Sequence, residues 1–327
     1  MQISRWQHDL QNAIRDPLTL LQELGLDDAV VSLPEESLRQ FPVRVPAAFV
    51  EKMQKARPDD PLLRQILPLA EEDLSVPGFS HDPLQEMTQL STPGVLKKYH
   101  GRALLVATGV CAVHCRYCFR RHFPYPDNNP ARENWQPALD FIRSDTSINE
   151  IILSGGDPLA LSDDKLAILI KQLQEISHLK RLRIHTRMPV VIPNRISEAL
   201  IALLESQPLK TIMVIHANHP NEINGDVSNG LHKLHQAGIT LFNQSVLLHK
   251  VNDDDESLLE LSEKLFDNQV LPYYLHQLDP VAGSAHFQVE DHRVKEIMQR
   301  LRTKLPGYLV PRLVMEKAGA PYKIPVL

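Results

Sequence analysis

The chain has 327 residues, of which 43% are apolar and 23% charged, with a formal net charge of −5. That length buries a large core and suits one big α/β domain with an appendage, or two modest domains. The acidic balance argues against a nucleic-acid binder, which needs a basic face, and no apolar run is long enough to cross a bilayer.

Residues 1–95 are expected to form a helical N-terminal region. The opening "MQISRWQHDLQNAIRDP" is polar and lacks the apolar core of a signal peptide, so a cytoplasmic location is expected. Amphipathic stretches such as "WQHDLQNAI" and "PLTLLQEL" are punctuated by many prolines, from Pro34 to Pro93. They read as helices that wrap something larger, chiefly as packing material.

From about residue 96 a βα rhythm begins. Apolar, β-prone runs at 103–110, 150–156, 181–186, 211–217, 239–248 and 270–278 alternate with amphipathic segments near 135–144, 162–177, 195–206, 226–237, 255–268 and 290–304. Such alternation predicts a parallel sheet. No Gly-x-Gly-x-x-Gly follows the first run, which favours an α/β fold of partial (β/α)6 TIM-like barrel type over residues 96–305. Residues 306–327 form a C-terminal segment. Barrel chemistry collects where strands end. There the chain places its cysteines, then "SGGDP", "HTR", "HANH", "NQS" and "HQLDP".

All three cysteines, Cys111, Cys115 and Cys118, lie in "CAVHCRYC", spaced C-x3-C-x2-C. In a reducing compartment a tight cluster is a metal or catalytic set, and an odd number cannot pair completely. Zinc stays open if His114 or His122 supplies a fourth ligand, although structural zinc usually draws on two separated pairs. Three thiolates suit an iron–sulfur cube, leaving its fourth iron free for an exogenous ligand.

This motif, with Tyr117 before its last cysteine, resembles the signature of radical S-adenosylmethionine enzymes. The resemblance implies a [4Fe-4S] cluster on the three cysteines. S-adenosylmethionine then chelates the open iron and is cleaved to a 5′-deoxyadenosyl radical, with Tyr117 near its adenine. Ser154, Gly155, Gly156 and Asp157 of "SGGDPL" look like the family's glycine-rich segment that holds the methionine amino group; glycine permits close backbone approach to a ligand. Longer blocks are similar to lysine 2,3-aminomutases: "KYHGRALLVATGVCAVHCRYCFRRHFPY", "HANHPNEI", "NQSVLLHKVND" and "PYYLHQLDPVAGSAHF". The nearest likeness is to the bacterial branch that serves β-lysylation of elongation factor P.

That resemblance implies conversion of L-α-lysine to (R)-β-lysine, destined for elongation factor P through a separate lysyl-ligase, with a reducing donor such as flavodoxin. It implies pyridoxal phosphate carried on Lys323 in "GAPYKIPV", in a segment folded back across the barrel mouth. Lys98, Tyr99 and Arg102 would hold the phosphate, with lysine at a position more often arginine, so that charge is kept and bidentate geometry lost. Arg120 would grip the substrate carboxylate with parallel hydrogen bonds, while Arg121 has no such match. Asp279 and Glu316 would face the substrate ε-ammonium, the latter where many members carry aspartate. His216 and Gln244 would lie near S-adenosylmethionine. Clostridial-type members use extra cysteines for a structural zinc between subunits; none is to spare here, so zinc is not expected and the oligomeric state, a homo-oligomer included, stays open. Two rivals remain: a radical enzyme for another amino acid, such as glutamate or arginine, and a non-catalytic metalloprotein docking on a translation factor. Two acids at the distal end favour a cationic substrate.

Overall fold

In the computed structural model, which describes residues 4–27, 32–206 and 208–326, short helices come first. They are α1 (Arg5–Gln11), α2 (Pro17–Glu23), α3 (Glu35–Gln40), α4 (Ala47–Val50) and α5 (Pro61–Arg64). Two of the prolines start helices rather than stop them. Pro17 and Pro61 occupy first turns, and the Asp16 and Asp60 carboxylates accept from the first-turn N–H groups of Thr19, Leu62 and Leu63.

The N-terminal region is not wholly helical. Strands β1 (Leu90–Thr92) and β2 (Val95–Leu96) form an antiparallel hairpin, and β2 pairs antiparallel with β3 (Arg102–Thr108). The cause is the Pro93-Gly94 turn, with Gly94 at φ +78°, the left-handed value that the third position of a type II turn requires.

The six expected βα units follow. After β3 come α6 (Gln136–Ser144), β4 (Glu150–Gly155), α7 (Asp163–Gln174), β5 (Arg181–Thr186), α8 (Met188–Val191), α9 (Glu198–Glu205), β6 (Lys210–Ile215), α10 (Gly225–Gln236), β7 (Thr240–Val246), α11 (Asp255–Asp267), β8 (Val270–His276) and α12 (Asp291–Lys304). Ser162, Ser197, Asn224 and Asp254 cap α7, α9, α10 and α11 through side-chain oxygens. Neighbours from β3 to β8 are parallel throughout. The apolar runs overshoot several strands at their C-terminal ends, because the residues beyond Thr108, Ile215, Val246 and His276 leave the ladder to build loops.

The C-terminal segment lengthens the sheet. Strand β9 (Arg312–Met315) pairs parallel with β8, and β10 (Ile324–Pro325) antiparallel with β9, giving ten strands in chain order in an open sheet. In β5, Leu182, Ile184 and Thr186 are buried while Arg183 and His185 point to the cavity, the period-2 alternation of a strand with one wet face. Trp6, Leu20, Phe49 and Leu62 of the N-terminal helices share one core with Ile151, Leu153, Leu182 and Ile184 of the barrel. A second cluster joins Leu258, Ile297, Leu301 and Leu313 beneath the C-terminal strands. Among the described residues no helix is long and apolar enough to cross a membrane.

Candidate active site

Every residue nominated from the sequence except His122 lines one cavity of about 560 Å³ inside the barrel. Cys111 lies three residues past the end of β3, and Cys115 and Cys118 line the cavity from a tight loop in which the Cys118 N–H donates to the Cys115 carbonyl oxygen at 3.0 Å. Burial, then the neighbouring Cys118, pushes the Cys111 thiol well up; burial, then Cys115, takes Cys118 up to about 11. Such thiols stay protonated until a metal claims them. Among the described residues no three His, Cys, Asp or Glu side chains converge on a point that would hold a single ion. Three thiols lining one cavity are the donor chemistry that an iron–sulfur cube takes. Each histidine considered for zinc spends one ring nitrogen on a backbone carbonyl. His114 Nδ1 meets the Pro42 carbonyl oxygen at 2.8 Å, and His122 Nε2 meets that of Ala282 at 3.2 Å.

The glycines of "SGGDP" serve the loop itself. A Cβ on Gly155 would stand 2.7 Å from the Thr108 carbonyl oxygen, and one on Gly156 2.5 Å from that of Val110. The space is taken by the backbone leading into Cys111, so glycine here lets β4 hold the cysteine loop. Asp157 fills both its oxygens with donors: Thr186 Oγ1 and the N–H of Leu159 on one, the N–H groups of Arg187 and Met188 on the other. It fastens the β4 loop to the end of β5.

Arg120 is buried and forked on Glu86, Nε at 2.7 Å and NH2 at 2.8 Å, while NH1 donates to Ser154 Oγ at 3.1 Å. Lys98 lies between two acids, 2.8 Å from Glu86 and 3.3 Å from Glu316. Glu316 also pairs with Lys323, whose ammonium stands 5.7 Å from the centre of the Tyr274 ring. Burial alone would raise Glu316, but Lys323 and Lys98 outweigh it and hold the carboxyl well below the usual range. Asp279 goes the other way: burial, then the Glu316 charge, pushes it up to about 7. Arg102 lies 5.7 Å over the Tyr99 ring.

Polar atoms without partners mark where ligands belong. His185 Nε2, His216 Nε2, Gln244 Oε1 and His276 Nε2 are buried, line the cavity and make no hydrogen bond. Burial, then Arg187, lowers His216 to about 4, so its ring is neutral. An unsatisfied buried polar group is costly, and four facing one space suit a polar ligand of nucleoside size.

The sequence pattern did not single out Glu86, Arg187, Glu222 or Asn218. Arg187 donates to Cys115 Sγ at 2.7 Å, to Glu222 at 2.8 Å and to Gln65 at 2.7 Å; Asn218 donates to the Tyr117 hydroxyl at 2.7 Å. Their signal was the polar residue at a strand's C-terminal end, in "HTR" and "HANHPNE". Glu86, in "LQEMTQ", has no such signal.

A relative in Escherichia coli K12, L-lysine 2,3-aminomutase, is 48% identical over 98% of this chain and 94% of its own length. The chain belongs to the L-lysine 2,3-aminomutase family. Its relative of the same name in Haemophilus influenzae is 49% identical over 97% of this chain and 94% of that one. The Clostridium subterminale enzyme, also an L-lysine 2,3-aminomutase, is 36% identical over 95% of this chain and 73% of that one. The Radical SAM superfamily profile matches residues 105–262. A radical SAM methyltransferase from Sphaerobacter thermophilus shares the fold at TM-score 0.50 and 19% identity, over 68% of each chain. The family member described here is thus an isomerase. Membership carries with it a [4Fe-4S] cluster and S-adenosylmethionine, with pyridoxal phosphate.

Proposed function

We propose that the chain is a cytoplasmic enzyme that moves the amino group of L-lysine from the α- to the β-carbon, giving (R)-β-lysine. The observation that carries this reading is one cavity holding a buried guanidinium, Arg120, together with Lys323 and a pair of acids, Asp279 and Glu316. Arg120 suits the substrate carboxylate, because Glu86 fixes its fork and leaves NH1 turned to the cavity-lining Ser154. The acids suit the distal ammonium. The two acids do not suit glutamate as substrate. By the same family reading, the product serves modification of elongation factor P through a separate ligase, electrons come from a donor such as flavodoxin, and a homo-oligomer is compatible.

Cys111, Cys115 and Cys118 would hold the cluster, and Tyr117, Ser154, Gly155, Gly156, Asp157, His216 and Gln244 would surround S-adenosylmethionine. Lys323 would carry pyridoxal phosphate, with Lys98, Tyr99 and Arg102 at its phosphate. When bound, these groups supply homolytic removal of a substrate hydrogen and an electrophilic carbonyl for the migrating nitrogen. The chain supplies placement. Glu86 orients Arg120, the neutral rings of His185, His216 and His276 offer hydrogen bonds without charge, and the barrel wall keeps water from a reactive centre.

The test is anaerobic incubation of the reduced, iron- and sulfide-reconstituted protein with lysine and both organic cofactors. β-Lysine is expected, and its absence under conditions that cleave S-adenosylmethionine refutes the reading. Lys323→Ala should abolish rearrangement and the pyridoxal absorbance while keeping iron; loss of the iron chromophore in that variant would show that Lys323 acts otherwise.

A further inference from the structure

The cysteine loop is shaped from one side by residues that precede the barrel. Arg116, between Cys115 and Cys118, is fully buried. Its Nε (2.8 Å) and NH2 (2.5 Å) donate to the two oxygens of Glu72, and its NH1 to the Phe41 carbonyl oxygen at 2.6 Å. Arg121, three residues past Cys118, donates to the same Glu72 Oε2 at 2.7 Å and to the carbonyl oxygens of Arg116 and Gly283, each at 3.1 Å. The Ser37 hydroxyl completes the set. It donates to Glu72 Oε2 at 2.7 Å and accepts from Arg121 at 2.6 Å and Arg116 at 3.3 Å, using its one proton and both lone pairs.

The surroundings admit little slack. The Phe41 ring centre lies 5.0 Å from the Arg116 guanidinium and 5.1 Å from that of Arg121, and the ring stacks on His114 at 4.7 Å. The Arg116 N–H donates to the Gln65 carbonyl oxygen and the His114 N–H to that of Arg44, both at 2.9 Å. A Cβ on Gly283, which sits at φ +86°, would stand 2.8 Å from Arg121 NH1. Apart from the Arg121 contacts to the Arg116 and Gly283 carbonyl oxygens, these contacts join α3, α5 or the segments beside them to the span 114–121.

We infer that Glu72 is a positioning residue for the cluster: by clamping Arg116 and Arg121 it fixes the spacing of Cys115 and Cys118, so the N-terminal region is a template for the metal loop. Stability alone does not explain the arrangement, since a buried ion triad can often be replaced by apolar side chains without loss of stability. One carboxylate facing two guanidiniums also leaves a surplus positive charge beside three residues that bind metal as thiolates. The inference rests on the cysteines being the cluster ligands.

The test is the triple variant Glu72→Met, Arg116→Met, Arg121→Leu, reconstituted anaerobically beside wild type. Wild type reports on the cysteines themselves: failure to take up iron and sulfide overturns the ligand assignment, whatever the variant does. With wild type loaded, the variant should melt near the wild-type temperature, yet lose iron to a chelator about tenfold faster and give an altered electron paramagnetic resonance signal when reduced. Iron loss within about twofold of wild type, with an unchanged signal, overturns the proposal. Should the triple variant not fold, Ser37→Ala decides: faster iron loss at unchanged melting temperature supports the clamp, and an unchanged rate sinks it.

Discussion

Asp279 and Glu316 are two carboxylates in one cavity shifted in opposite directions. Burial and the Glu316 charge raise Asp279 to about 7, while Lys323 and Lys98 overcome burial to keep Glu316 ionised. Because the folded protein holds a proton on Asp279 that the unfolded chain releases near 3.8, this group's stabilising contribution is full below that value. It is lost as pH rises through about 7. A cationic substrate favours the ionised form, so KM for lysine should fall as pH rises from about 6 to 8. Asp279→Asn should flatten that profile and raise KM by roughly tenfold or more, checked by steady-state kinetics across pH. Glu86 is the other residue whose removal should be felt. Glu86→Gln strips the buried Arg120 of its forked partner. It should cost about 3 kcal/mol in a denaturant titration, the scale seen when one member of a buried ion pair is removed.

The critical element is β4 with its loop. Its apolar residues pack into the barrel core, where Leu153 is fully buried, and Leu153→Ala is expected to cost about 3 kcal/mol in the same titration. The glycines at its end act differently. Gly156→Ala forces a methyl into the Val110 backbone, where no flexible side chain gives way. The strand should survive while the cysteine loop shifts. Iron content after anaerobic reconstitution should fall to a fraction of wild type, with far-ultraviolet circular dichroism unchanged.

Across the molecule, the sheet stays open between β1 and β10, and a chain of charges ties the segment before β3 to the segment between β9 and β10. Glu86 lies beyond one end of the sheet, Lys98 just before β3, and Glu316 and Lys323 between β9 and β10. Glu316→Gln removes the shared acid and should release the C-terminal strands. Amide exchange over 312–326 should quicken by about tenfold while the rest of the barrel is unchanged; uniform protection would show that packing alone holds the segment.

The order of six βα units was legible because a strand's apolar face and a helix's apolar stripe repeat at different periods. The three cysteines announced a metal because nothing else in the chain competes for them. The short strands were not legible. Two- to four-residue strands carry too little periodicity, and only Pro93-Gly94 hinted at the first hairpin. Site residues at strand ends could be nominated from the pattern, but Glu86 and Glu72 could not, because each meets its guanidiniums across tens of residues of chain. Sequence by itself thus determined the six βα units and which donors stand at their ends, since propensity, periodicity and spacing are local. Only the tertiary structure decided that Lys98 bridges two acids, that the glycines make room for backbone, and that an N-terminal carboxylate clamps the cysteine loop. Burial and charge pairing belong to the packed whole, where residues far apart in the chain share one low-dielectric space.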